Sequence, residues 1–181
     1  MSKARDLANA GTALTTVDAT ELGYLDGVTS AIQTQINTKA ASSGPTLTSP
    51  IVISPEERTT ISATAATGTV NFDASTQGVL YYTTDASGNW TLNVRGTSGT
   101  TLNSVLATGD AITIAFLVTN GATAYYQTAF NIDGSAVTPK YSGGTAPAAG
   151  NASAIDIYTY TIVKTASATF TVFGAGPIKY A

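Results

Sequence analysis

The sequence predicts a mainly β protein, with a C-terminal antiparallel β-sandwich or jelly roll over residues 51–181 preceded by a short two-helix stalk. Three observations predict it. From Ile51 onwards apolar residues recur every second position, turn-forming clusters return about every ten residues, and no helical period interrupts them. Upstream, residues 17–39 carry two helix-start signals around one glycine. Between these regions, residues 40–50 change composition abruptly.

Taken in order, the chain opens with Ser2-Lys3-Ala4-Arg5-Asp6-Leu7-Ala8-Asn9, which mixes charge with a weak apolar pattern and has no core of its own. Chain ends of this kind order only against a partner. Residues 1–16 are therefore a free terminus or an attachment segment.

Asp18 with Glu21 has capping-box spacing, so a helix begins near Ala19. Asp26-Gly27 ends it, because glycine takes the left-handed cap conformation without steric penalty. Ser30 with Gln33 repeats the spacing. Leu22, Leu25, Thr29, Ile32 and Ile36 approximate an a/d stripe. The stripe is too narrow for a private core, and isolated helices below about 12 to 15 residues are marginal in water. The helices pack on their own β-domain or, as we expect, against copies of themselves. Residues 40–50, with Pro45 and Pro50, form a stiff extended linker.

In the β-region Trp90, Leu92 and Val94 alternate with Thr91, Asn93 and Arg95. Ile112, Ile114, Phe116 and Val118 do so with smaller or polar neighbours, and Tyr158, Tyr160 and Ile162 with threonines. Residues 85–89, 96–99, 108–110, Asn120-Gly121 and Asp133-Gly134 read as turns, with Asn120-Gly121 the preferred hairpin. Residues 142–153 form the longest loop, expected to join the two halves of the sandwich.

The run from Ala19 to Ile36 resembles the "TELxYLDGVTSxIQTQ" segment of tail-fibre and other fibrous virion proteins of tailed bacteriophages, many of them marine. Residues 81–96, 110–119 and 162–172 are similar to a C-terminal domain of marine-phage structural proteins. The resemblance implies a structural virion component, a homotrimer whose seam is Leu22, Leu25, Ile32 and Ile36. It also implies virion attachment through Lys3, Arg5 and Leu7 to other virion proteins, and a β-domain available for host attachment to a surface glycan or protein. One copy of the segment points to a short stalk or adaptor, so capsid decoration, neck and baseplate roles stay open beside a tail fibre. Synthesis in a host cytoplasm and release by lysis fit the expected virion location.

Composition narrows the chemistry. Charged residues are 10% of the chain and the eight basic ones are scattered, which argues against nucleic acid. Cys and His are absent, removing thiol nucleophiles, imidazole bases and Cys/His metal sites. No stretch reaches the roughly 18 apolar residues of a membrane span. Glu56, Glu57, Asp73, Asp85, Asp110, Asp133 and Asp156 are dispersed, and most occupy turn contexts where Asp bonds the local backbone. A polysaccharide-degrading tailspike, which needs two convergent carboxylates, is the weaker reading. Residues 85–89 lack the spaced carboxylates of a calcium loop. We therefore expect no enzyme, cofactor or metal. Trp90 is expected in the core, and one of Tyr125 and Tyr126 is expected to be exposed on their strand.

Overall fold

Period-two patterning becomes ten strands: β1 Thr59–Ala65, β2 Gly68–Asp73, β3 Val79–Thr84, β4 Trp90–Arg95, β5 Ala111–Asn120, β6 Gln127–Ile132, β7 Ser135–Ala136, β8 Lys140–Tyr141, β9 Ala154–Ala166 and β10 Thr169–Tyr180. One α-helical turn, α1 Leu102–Val105, lies between β4 and β5. The computed structural model describes residues 55–181 together with the single positions Lys3 and Thr20, both helical and exposed. The chain divides into compact units Met1–Ile53 and Ser54–Ala181, and the second contains every strand named. The predicted stalk at 17–39 and linker at 40–50 fall outside the described residues, Thr20 apart. So do Arg5, Leu7, Leu22, Leu25, Ile32 and Ile36.

The strands form two mixed sheets, one ordered β1-β3-β5-β9-β10-β8 and the other β2-β4-β6-β7. This corrects the antiparallel expectation. Successive strands from β1 to β6 alternate between the sheets, so neighbours within a sheet are two strands apart in sequence and run parallel. The chain thus makes three turns of a flattened coil. Only then do β9 and β10 close the larger sheet with antiparallel pairs. Alternation of buried and exposed residues is the same in either direction, which is why periodicity could not distinguish them.

The corners of the coil are tied by backbone bonds. Ser87 N–H donates to Ala66 O at 3.1 Å, Ala86 N–H to Thr119 O at 2.8 Å and Trp90 N–H to Tyr126 O at 3.3 Å. Asn120-Gly121 accordingly begins a crossing to the other sheet, not a hairpin. The β6–β7 hairpin instead uses Asp133-Gly134, with φ of 51° and 80°, as an Asp-Gly two-residue turn favours. Residues 142–153 join β8 to β9 of the same sheet, correcting their expected role as a bridge between halves.

Side chains from both sheets share one core. Trp90, Leu92 and Val94 from β4 meet Ile114, Phe116 and Val118 from β5 and Tyr158, Tyr160 and Ile162 from β9, all buried. Trp90 stands edge-on to Phe116 at 5.7 Å and to Tyr158 at 6.0 Å between ring centroids. Phe130 lies 4.6 Å from Tyr160. Such pairs contribute about 0.5–1.5 kcal/mol beyond the area they bury.

Candidate interaction surface

Among the described residues, the acidic side chains do not converge on one centre. Asp73 pairs with Arg95 at 2.6 Å on the outside of the smaller sheet. Asp110 accepts from Ala107 N–H at 2.9 Å, and Glu56, Glu57 and Asp85 are exposed. Asp133 accepts from the Leu102 and Asn103 amides at 2.6 and 3.0 Å, holding the start of α1. Buried Lys164 donates to Asn103 O at 2.6 Å and Leu106 O at 2.8 Å at its other end. Each charge matches the partial charge of the helix end it meets. Asp156 is fully buried and accepts from Asn120 Nδ2, Asn151 N–H and Asn151 Nδ2 at 3.1, 2.9 and 2.7 Å. It pins the 142–153 loop to the end of β5. Among the described residues no three acids gather as a metal site.

A cleft of about 270 Å³ opens beside β6, lined by Gln127, Phe130, Val137, Pro139, Tyr141 and Pro147 among others. It falls below the roughly 300–1,000 Å³ of ordinary ligand sites. Behind it, Tyr141 Oη stands 3.4 Å from Tyr160 Oη. Burial pushes the Tyr160 hydroxyl up, nearby Tyr141 adds to the shift, and the Gln127 side chain opposes it. Burial also raises Tyr158, the Gln127 backbone opposes the shift, and nearby Asp156 adds to it. Both phenols are thereby kept as neutral core groups. A larger but more open hollow of about 410 Å³ contains Arg95 and Asp133, already committed to Asp73 and α1.

Tyr125 and Tyr126 precede β6 instead of lying in it, and both are half-buried, contrary to the expectation of one exposed ring. The 85–89 loop serves the corner: Asn89 Oδ1 accepts from Tyr126 N–H at 3.0 Å.

The outer faces of the two sheets differ sharply. On the smaller sheet, register aligns Thr69 with Thr91, Asn71 with Asn93 and Asn131, and Asp73 with Arg95. Asn93 Nδ2 donates to Asn71 Oδ1 at 2.8 Å. This is a polar ladder suited to water. On the larger sheet, register aligns Ile61, Tyr81, Leu117, Ile157 and Ile178 in one row across β1, β3, β5, β9 and β10. Their strand neighbours Leu80, Phe116, Val118, Asp156 and Tyr158 are buried, so the row faces away from the core.

Flanking rows hold Val79, Ala115, Thr159 and Ala175 on one side and Thr119, Ile155 and Tyr180 on the other. Thr113, Thr161 and Phe173 form a further row. The last row continues onto β8 with the exposed Lys140, the one charged side chain of these rows. Of the five large hydrophobic side chains left exposed among the described residues, Ile61 (68%), Phe173 (50%), Ile178 (47%) and Tyr180 (55%) stand on this face. Val105 on α1 is the fifth. Scattered exposed apolar residues need no explanation, whereas a contiguous patch marks an interaction site.

No protein-family model, curated protein or solved structure matches the chain. The predicted seam and attachment residues fall outside the described part except Lys3, which is exposed. The outer face of the larger sheet was not among the predicted sites, because only strand register assembles its row.

Proposed function

We propose that the chain is a structural component of a tailed-bacteriophage virion. It is a short fibre-like homotrimer attached through its N-terminal segment, presenting a β-sandwich domain and carrying out no reaction of its own. The observation that carries this reading is the apolar row Ile61, Tyr81, Leu117, Ile157 and Ile178 aligned across the outer face of the six-stranded sheet. A surface of this kind gains free energy by leaving water, at about 25 cal/mol per Å² of apolar area, and is used for protein contact. The acidic side chains support the same reading, since those described are engaged in turns, helix ends and loop anchoring or are dispersed on the surface. The resemblance of residues 19–36 to fibrous virion segments supplies the biological setting.

The test is localisation in purified particles. Antibody against residues 55–181 should decorate one fixed site on intact virions, and quantitative peptide counting should return a multiple of three copies. Labelling at the distal tip would extend the function to host contact. Absence of the chain from purified particles would refute the proposal.

A further inference from the structure

We propose that Asn120-Gly121, at the end of β5, is a covalent modification site that works as a one-way latch: protected while its corner is closed, it cyclises with loss of ammonia once opened and then cannot close again. It is the chain's one Asn-Gly pair. The inference concerns the corner that holds residues 142–153 and stands apart from the virion reading.

In the closed corner the pair is held from several sides. Asn120 is 2% exposed, its backbone pairs with Ala154 of β9, and its Nδ2 donates to Tyr125 O at 3.0 Å and Asp156 Oδ2 at 3.1 Å. Gly121 O accepts from Ser153 N–H at 2.7 Å. Asp156 also accepts from Asn151 N–H and Nδ2, so one amide side chain ties together β5, the crossing that follows it and the 142–153 loop. The packing leaves little slack. A Cβ on Gly150 would stand against Tyr125 O and within 3.0 Å of Asp156 Oδ2 and 3.1 Å of Asn120 Nδ2.

The bonds that hold Asn120 also restrain its chemistry. Cyclisation needs the Gly121 amide nitrogen, deprotonated by base, to attack Asn120 Cγ: the N–Cγ bond forms, the Cγ–Nδ2 bond breaks, and Nδ2 takes a proton and leaves as ammonia. That attack requires rotation about the bonds at the Asn120 Cα, which the β5–β9 ladder and the two side-chain hydrogen bonds block. Asn120 Oδ1, which takes up negative charge in the attack, is buried without a donor to stabilise it. Opening the corner lifts all of these restraints, and glycine, lacking a side chain, hinders the attack least. Water then opens the ring at either carbonyl, leaving aspartate or isoaspartate and one more negative charge. In the aspartate product a carboxylate faces Tyr125 O and the Asp156 carboxylate where an amide donor stood. Acceptors crowded together without a proton between them do not share a buried site. The loop, which gives Ala146 and Pro147 to the cleft beside β6, therefore stays released.

The experiment incubates the full chain at mildly alkaline pH, folded in buffer or unfolded in guanidinium chloride, and maps peptide masses over time. The peptide containing residues 120 and 121 should gain one mass unit at least about tenfold faster unfolded than folded, since opening gates the folded rate. Gly121→Ala should slow the unfolded reaction by an order of magnitude. After the denaturant is removed, modified chains are separated by their extra charge and compared with unmodified ones by hydrogen exchange. The Asn151 and Ser153 amides, both bonded across the corner, should be protected in unmodified chains and unprotected in modified ones. Asn120→Asp should behave as the modified chain does. Should that variant fail to fold, chains modified during long native incubation give the decision by the same exchange measurement. Equal rates of mass gain in the folded and unfolded protein would overturn the protected latch. Equal protection of the two amides in modified and unmodified chains would overturn its one-way action.

Discussion

Asp133 is the residue whose replacement should reveal how α1 is held between the sheets. Its backbone lies at φ 51°, and its carboxylate accepts from the Leu102 and Asn103 amides at 2.6 and 3.0 Å. Alanine loses the acceptors and still occupies a left-handed position. Losing a helix N-terminal acceptor costs about 0.5–2 kcal/mol, and the left-handed conformation about 1–2 kcal/mol more for a residue with a plain Cβ. Asp133→Ala should therefore destabilise by about 1.5–4 kcal/mol. Asp133→Asn tolerates the backbone and keeps one acceptor, so its cost should be about 1 kcal/mol. Trp90, the one tryptophan and 1% exposed, reports the transition by fluorescence during urea unfolding at fixed protein concentration. Equal effects of the two substitutions, or an alanine cost under about 0.5 kcal/mol, would show that α1 is not clamped this way.

Three further outcomes are expected. Tyr158 and Tyr160 have hydroxyls raised above the ordinary value of 10.0 by burial, so the unfolded chain releases their protons first. Their contribution to stability is full below about pH 10 and is lost as pH rises towards the folded values, at up to about 1.4 kcal/mol per pH unit for each phenol. Tyr158→Phe, whose hydroxyl has no hydrogen-bond partner, should roughly halve that alkaline slope in denaturant titrations, and an unchanged slope would count against it. Gly174→Ala would place a Cβ 2.7 Å from Tyr141 Cε1 and 2.8 Å from Tyr160 Cε1, so it should cost about 1–3 kcal/mol in the same unfolding assay. A neutral result would mean that the two rings shift freely. If residues 17–39 form the predicted helical stalk, Ile32→Asp should lower the melting temperature of its helical signal more than Gln33→Asp; equal shifts would remove Ile32 from the predicted seam.

Much of the core was legible because burial and alternation are local. Trp90, Leu92 and Val94 share a parity on one short strand, and Tyr158, Tyr160 and Ile162 continue one on β9. Strand direction was not legible, since a corner crossing between sheets and a hairpin use the same small polar residues. Asn120-Gly121 shows the cost: its turn chemistry is real, but Asn120 is buried and bonds Tyr125 O and Asp156, fixing a corner. The outer face was hidden for a related reason. Leu117 lies in a nearly continuous apolar run, and only register sets it and Ile157 beside Tyr81 and Ile178. One local signal did exist: parity on β9 turns Asp156 inward and Ile155 and Ile157 outward. A buried acid between two outward isoleucines requires an internal hydrogen-bond network, which Asn120 and Asn151 supply.

The most direct test of the central claim uses the absence of cysteine, which makes any introduced thiol the only one. With a spin label at Thr159→Cys, on the outer face of β9, the full chain should show strong dipolar broadening from labels drawn together across that face in the proposed homotrimer. The same label at Thr91→Cys, on the outer face of β4, should show none. Narrow spectra from both positions in the assembled protein would contradict burial of the six-stranded sheet against its own copies.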